Sequence, residues 1–317
     1  MIDPELAPLV ELLPTGLDMD DPVAARAGFE AMVAGISNEI DPALGVSTED
    51  RTVPGWEGDP DVPIRIYRPR EAQAGPVPGI LMIHGGGFVV GNIETEHLGA
   101  AMMAAHVGAV VVSVEYRLAP EAHYPAAVHD CYAALEYVSK EASSLDVDPE
   151  RIALVGTSAG GGLSAATALL ARDRNGPPVC FQMLHIPELD DRLDTPSMRI
   201  FVDSPVWNRP LAVKSWQYYL GELAGTDDVP IYAAPARAHD LSGLPPAYVS
   251  TAENDPLRDE GILYALGMLQ AGVSVELHQF PGTFHGSTMM VTADVSKRAH
   301  EESTRVLRRV LGTTVTA

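Results

Sequence analysis

Cysteine is scarce in this chain: Cys131 and Cys180 are its two thiols, without CxxC spacing and without a histidine cluster beside them. That excludes a disulfide framework and a zinc site of familiar ligand spacing, and it predicts two free thiols. Cationic residues are also few, 21 Lys and Arg against 43 Asp and Glu, giving a formal charge of −22. No basic block is present to neutralise a phosphate backbone, so nucleic acid is excluded as a partner. The carboxylates are scattered rather than clustered, the pattern of a solvated surface. Long apolar runs are missing as well. No stretch approaches the ~18 apolar residues of a membrane span, and the opening MIDPELAPLVELLP has neither the cationic start nor the continuous apolar core of a signal peptide. A cytoplasmic protein without a membrane partner is expected.

What the chain does have is alternation, without internal repeats. Ile64 to Pro69, Gly79 to Ile83 and Ala109 to Tyr116 are short β-branched runs bounded by Pro or Gly, as strands are. Ala126 to Ala142 instead spaces Val128, Tyr132, Leu135 and Val138 by three and four residues, which predicts an amphipathic helix. Further strands are expected at Arg151 to Val155, Val179 to Ile186, Ala247 to Thr251 and Val273 to Phe280, and helices at Leu163 to Arg174, Ile262 to Gln270 and Ser296 to Leu311. Such interleaving implies an α/β fold with a mostly parallel sheet covered on both faces. Two segments break the rhythm. Residues 1–50 read as helices joined by Pro-rich turns before any strand, and residues 189–235 form a non-repeating insertion. Both are expected to cap one end of a core built from residues 51–188 and 236–317.

Two glycine-rich stretches carry the chemistry. In RIALVGTSAGGGLSAATALLARDR a strand runs into Gly156-Thr157-Ser158-Ala159-Gly160 and a small-residue helix follows, the setting in which GxSxG lifts a nucleophilic serine above a sheet edge. A serine hydroxyl needs a base to take its proton and an acid to orient that base. Of ten histidines, His129, His185, His278 and His300 lie inside regular elements, whereas His285 sits in the glycine-bounded PGTFHGS just beyond the last strand. There an open α/β sheet gathers its reactive groups. For the acid, AYVSTAENDPLRDEG offers Asp255, which Pro256 biases toward an extended or turn conformation, with Glu253 as the alternative; Asp259 and Glu260 belong to the next helix's first turn. The order Ser158, Asp255, His285 is that of α/β-hydrolases. In LMIHGGGFVVG the glycines Gly85, Gly86 and Gly87 follow an early strand, and with the amide of Ala159 they form a candidate oxyanion hole. His84 is expected to brace that loop. A phosphate-binding reading fails, because neither GxGxxG nor GxxxxGK[ST] is present.

HGGGF at residues 84–88, YRLAPEAHYPAAVHD at 116–130, GTSAGG at 156–161, NDPLRDEG at 254–261 and FHG at 284–286 together resemble the bacterial hormone-sensitive-lipase-type carboxylesterases, from about residue 50 onward. IPELDDRLDTPSM and FPGTFHGS narrow the resemblance to acetyl-ester hydrolases. The resemblance implies Ser158 as nucleophile, His285 as base and Asp255 rather than Glu253 as acid. It also implies oxyanion amides at Gly86, Gly87 and Ala159, and Arg117 and Glu121 as supporting residues. The expected fold is an eight-stranded α/β-hydrolase core with a helical cap. The expected substrate is a small-molecule carboxylic ester, with no cofactor and no metal. Thr157, where the commoner motif is GDSAG, places the chain in a GTSAG subgroup whose members are often homodimers; Ser287 replaces a Phe common after His-Gly. An amidase or acyltransferase would share this triad. A ligand receptor on the same fold would dispense with the histidine that this chain retains.

Overall fold

Alternation within each short run decides which face of the sheet a side chain enters. In β3 (Val77–Ile83) Ile80 and Met82 join a cluster with Val111, Ala153, Val155 and Met183, while Leu81 and Ile83 join the opposite one with Val112, Val114, Ile152 and Leu154. The computed structural model describes residues 1–11, 13, 18–34, 40–70 and 75–314. Its strands are β1 (Val46–Val53), β2 (Val62–Pro69), β3, β4 (Val110–Val114), β5 (Val147–Thr157), β6 (Phe181–His185), β7 (Ala247–Asn254) and β8 (Val275–Phe284). They form one eight-stranded sheet in the order β1-β2-β4-β3-β5-β6-β7-β8. Strand β2 runs antiparallel to both β1 and β4, and every pairing from β4 to β8 is parallel.

The described helices are α1 (Ala7–Val10), α2 (Pro22–Ala34), α3 (His97–Val107), α4 (Ala126–Lys140), α5 (Ala159–Asp173), α6 (Pro196–Ile200), α7 (Arg209–Leu220), α8 (Arg258–Gln270) and α9 (Asp294–Leu311). Ala100, Ala104 and Val107 of α3 and Val306, Leu307 and Leu311 of α9 cover the Ile80 face. Helices α4, α5 and α8 cover the Leu81 face through Val128, Leu135, Val138, Leu163, Leu169, Tyr264 and Met268. Each fully buried Val, Leu or Met among them is worth about 1.5–3 kcal/mol of transfer free energy. The fold is therefore the α/β-hydrolase sandwich expected from the interleaving.

The N-terminal segment corrects the sequence reading in one respect. It was expected to be helical to residue 50, yet β1 starts at Val46 and pairs along its length with β2. The cause is its place in the sheet. An edge strand with solvent on both faces needs no apolar alternation, and SerThrGluAspArgThr at 47–52 has none. Residues 18–21, just before helix α2, reach helix α7 instead. Tyr218 of α7 donates to Met19 O at 2.9 Å, and Lys214 pairs with Asp20.

Candidate active site

The turn from β5 to α5 places Ser158 at φ 58°, ψ −123°, a left-handed conformation that L-residues avoid. It persists because the neighbours over-determine it. The Ser158 N–H donates to His185 O at 2.8 Å, and Ser158 O accepts from the N–H groups of Gly162 and Glu188, each at 3.0 Å. Gly160 must be glycine, since a Cβ there would stand 2.1 Å from Ile83 O and 2.4 Å from His84 O. The GxSxG spacing is thus a packing requirement as well as a turn requirement.

His285 follows β8 directly, and Asp255 follows β7. His285 Nε2 lies 2.9 Å from Ser158 Oγ, and His285 Nδ1 lies 2.8 Å from Asp255 Oδ2. A carboxylate accepting from Nδ1–H leaves Nε2 as the acceptor that faces the serine hydroxyl. Exposure is 5% for Ser158, 5% for His285 and 0% for Asp255. The other oxygen of Asp255 accepts the Leu257 N–H at 2.9 Å. Glu253, two residues earlier, turns to a different task and accepts the Gly282 N–H at 2.6 Å.

The four histidines inside regular elements have partners of their own. His278 lies between Glu276 and Glu302, His300 Nε2 bonds Thr288 O, His129 pairs with Asp59, and His185 bonds the Ser250 hydroxyl. Burial pushes His185 and His84 down to about 4, so both are neutral at pH 7. His84 Nδ1 lies 2.8 Å from Gly85 O and its ring stacks on Tyr116 at 4.1 Å, which stiffens the start of the glycine loop.

That loop runs beside the serine: a Cβ on Gly85 would sit 3.4 Å from the Ser158 Cβ. Gly86 has φ +120° and its carbonyl accepts from Val89 and Val90, so the chain doubles back through a turn that a side chain would block at Val90 O. The glycine loop thus starts beside Ser158 at Gly85, and Ala159, the first residue of α5, follows the serine directly. The positive end of α5 adds to the field there.

Four further residues contribute from outside the two glycine-rich stretches. Arg26 on α2 donates to Val89 O at 2.8 Å and Ala119 O at 2.9 Å and pairs with Glu121, clamping the segment after the glycine loop. Ser215 on α7 bonds Gly87 O, and Glu188 after β6 bonds Ser215. Trp207 packs its ring against Gly87 and lies 5.8 Å from the His285 ring. By contrast Trp216 and Tyr219 pack into the core around Phe88. Arg117 grips Asp130 and Asp59 below the site. Among the described residues one group, Glu276, His278 and Glu302, has donor atoms within 4.8 Å of one another as a metal would need. Arg309 and Arg305 already neutralise its carboxylates.

A family model for the alpha/beta hydrolase fold matches residues 80–289, the stretch that contains Ser158, Asp255, His285 and the glycine loop. The chain belongs to the α/β hydrolases, in their hormone-sensitive-lipase-type branch. Among relatives within this branch, carboxylesterase NlhH of Mycobacterium tuberculosis is 42% identical over 288 residues, 90% of this chain and 88% of that protein. Esterase LipI of the same organism is 38% identical over 288 residues, 90% and 87% of the two chains. The solved structure of a bacterial heroin esterase superposes with a TM-score of 0.94 at 53% identity, covering 98% of each chain. Among the described residues no helix is long and apolar enough to cross a membrane.

Proposed function

We propose that this protein is a serine carboxylesterase that hydrolyses short-chain, acetyl-type esters through an acyl-enzyme on Ser158. Membership of the family makes it a carboxylic ester hydrolase. The observation that carries the mechanism is the unbroken line Ser158 Oγ, His285, Asp255 at 2.9 and 2.8 Å. As Oγ attacks the ester carbonyl, His285 Nε2 takes its proton and Asp255 stabilises the imidazolium. The carbonyl oxygen becomes negative and meets the amides of Gly86, Gly87 and Ala159, with Gly85 fixing the turn; each such donor is worth on the order of 10²–10³ in rate. His285 returns the proton to the departing alcohol. Water then attacks the acyl group, His285 receives its proton, and Ser158 is regenerated.

Two observations support a short acyl group: Trp207 walls the space between His285 and Gly87, and a heroin esterase, whose substrate is an acetyl ester, is the 53% identical neighbour. The same reading divides the chain into a cap, residues 1–45 and 189–235, over a core of residues 46–188 and 236–317, the boundary moved from 50 because β1 belongs to the sheet. The free thiols Cys131 and Cys180 support a cytoplasmic setting, and the GTSAG motif supports a homodimer. A series of p-nitrophenyl esters tests the proposal. Acetate is expected to give the highest kcat/KM, with a loss of at least about tenfold by hexanoate, since a closed pocket rejects each added methylene by ~1–3 kcal/mol. A flat series to octanoate overturns the acetyl reading. Ser158→Ala is expected to lose on the order of 10⁴ or more in kcat; full turnover by that variant overturns the esterase reading itself.

A further inference from the structure

Ser215 places its Oγ 2.9 Å from Gly87 O and 3.0 Å from Glu188 Oε1. A serine hydroxyl has one proton to give, and a peptide carbonyl can only accept. Two hydrogen bonds at one hydroxyl, both to acceptors, therefore require a second proton, and the Glu188 carboxyl is the group in contact that can hold it. The other carboxyl oxygen points the same way. Glu188 is fully buried and its Oε2 has no partner. On an ionised carboxylate that oxygen would be a buried, unpaired share of a charge; on a carboxylic acid it is a neutral carbonyl. The titratable groups that face Glu188 are Asp255 from the end of β7 and Glu260 from α8, both acidic and neither able to supply a positive charge. Helix α7 offers it the Ser215 hydroxyl and the glycine loop a neutral peptide.

We propose that Glu188 is a protonated carboxylic acid in the working enzyme and a positioning residue for the oxyanion loop: its O–H donates to Ser215, and Ser215 donates to the Gly87 carbonyl. Burial first, and the Asp255 charge after it, push the Glu188 carboxyl up to about 8, against the lowering effect of the Ser215 bond. The loop needs such an anchor. Gly87 has φ +56° and Phe88 φ +61°, the latter a bulky residue in a conformation that costs of order 1–3 kcal/mol. The Glu188 N–H also donates to Ser158 O at 3.0 Å. One residue thus ties the nucleophile's turn to the loop that receives the charge. When Glu188 loses its proton to solvent, the carboxylate accepts the hydrogen bond of the Ser215 O–H, Gly87 O is left facing lone pairs, and the amides on either side of Gly86 lose their aim.

This inference rests on the esterase reading and is tested with p-nitrophenyl acetate on the full-length protein between about pH 5.5 and pH 10. In the unmodified protein kcat is expected to fall about tenfold above about pH 8 while KM changes little, part of the 10²–10³ that an oxyanion donor supplies. Glu188→Ala and Ser215→Ala are expected to lose about 10- to 100-fold in kcat, without that alkaline fall. In Glu188→Gln the amide donates to Ser215 at every pH, so it is expected to rescue most of the loss and to abolish the fall. An unchanged alkaline fall in Glu188→Gln overturns the proposal. Difference infrared spectroscopy reads the proton without turnover. The carbonyl stretch of a protonated carboxyl is expected at about pH 6, lost by about pH 9.5, and missing from Glu188→Gln. If that spectral difference between the two proteins is absent, the proposal fails even where the enzyme is active; if the unmodified protein has no esterase activity, it is the esterase reading that fails, and the spectrum still decides the proton.

Discussion

Asp255 and Glu253 lie two residues apart at the end of one strand, and strand geometry alone puts both near the same edge of the sheet. Their hydrogen bonds separate them. Asp255 meets His285 Nδ1, whereas Glu253 accepts a backbone N–H from Gly282. Asp255→Asn is therefore expected to reverse the imidazole tautomer and lower kcat on the order of 10⁴. Glu253→Gln keeps an oxygen for Gly282 and is expected to stay within about threefold of the parent. Steady-state kinetics on p-nitrophenyl acetate distinguishes them, and equal losses in the two variants would reverse the assignment. The same scale sets a limit on the serine turn. Gly160→Ala forces a methyl onto two backbone carbonyls that cannot rotate away, so a loss of at least about 3 kcal/mol in denaturant unfolding is expected. At this scale Pro256 gave Asp255 only an edge over Glu253, which the family resemblance decided, whereas Ser158 and His285 were legible from the glycines around them. Glu188 and Ser215 were not, since their meaning arises from a contact between residues 27 apart and from a count of protons that no spacing encodes.

Among the elements, those whose two environments differ were legible. Helix α4 buries one stripe and exposes another, and its periodicity shows in the sequence. Helix α3, HLGAAMMAAHV, was passed over because small apolar residues lie on every side of it, so burial of Ala100, Ala101 and Ala104 leaves no contrast. Helix α5 begins at Ala159, four residues before its expected start, because Gly160, Gly161 and Gly162 conceal the first turn. Helix α2 shows how elements far from the serine reach it. Its Arg26 holds two carbonyls beside the glycine loop in addition to Glu121. The Glu121 carboxylate is more than half exposed, so the ion pair by itself contributes little. Arg26→Ala is accordingly expected to cost about 1–2 kcal/mol and several-fold in kcat, and Glu121→Ala less than about 0.5 kcal/mol. Urea unfolding and kinetics on the two variants check this. Equal costs would mean that the carboxylate, and not the carbonyl clamp, is what Arg26 serves.

Across the whole molecule two sets of carboxyls pull stability in opposite directions with pH. Arg65 beside Asp50, Arg151 beside Asp148 and Arg309 beside Glu276 hold those carboxyls below their ordinary values, so their contribution is present above about pH 4 and lost as pH falls through the lowered folded value. Asp50 is exposed and Asp148 and Glu276 are half-buried at the surface, where solvent screens the pairs, so the contribution is small. Glu260 is the reverse case. Burial pushes its carboxyl well above the ordinary value while Oε1 accepts the Leu189 and Asp190 N–H groups and Oε2 has no partner. The folded chain then keeps a proton that the unfolded chain releases from about pH 4.3 upward, so stability falls with rising pH until the folded group itself ionises. Glu188 acts with the same sign up to about 8. A formal charge of −22 at pH 7 adds self-repulsion that also grows with pH. Thermal melts are therefore expected to peak near about pH 5–6 and to decline toward pH 8, with added salt recovering part of the decline by screening the surface charges. Glu260→Gln retains the acceptor for Leu189 and removes the titration, so it is expected to flatten the fall between about pH 6 and 8. Melting temperatures that rise from pH 5 to pH 8, or a Glu260→Gln slope matching the parent's, would show that the buried acids are ionised in the fold and stabilised by groups other than those that surround them here.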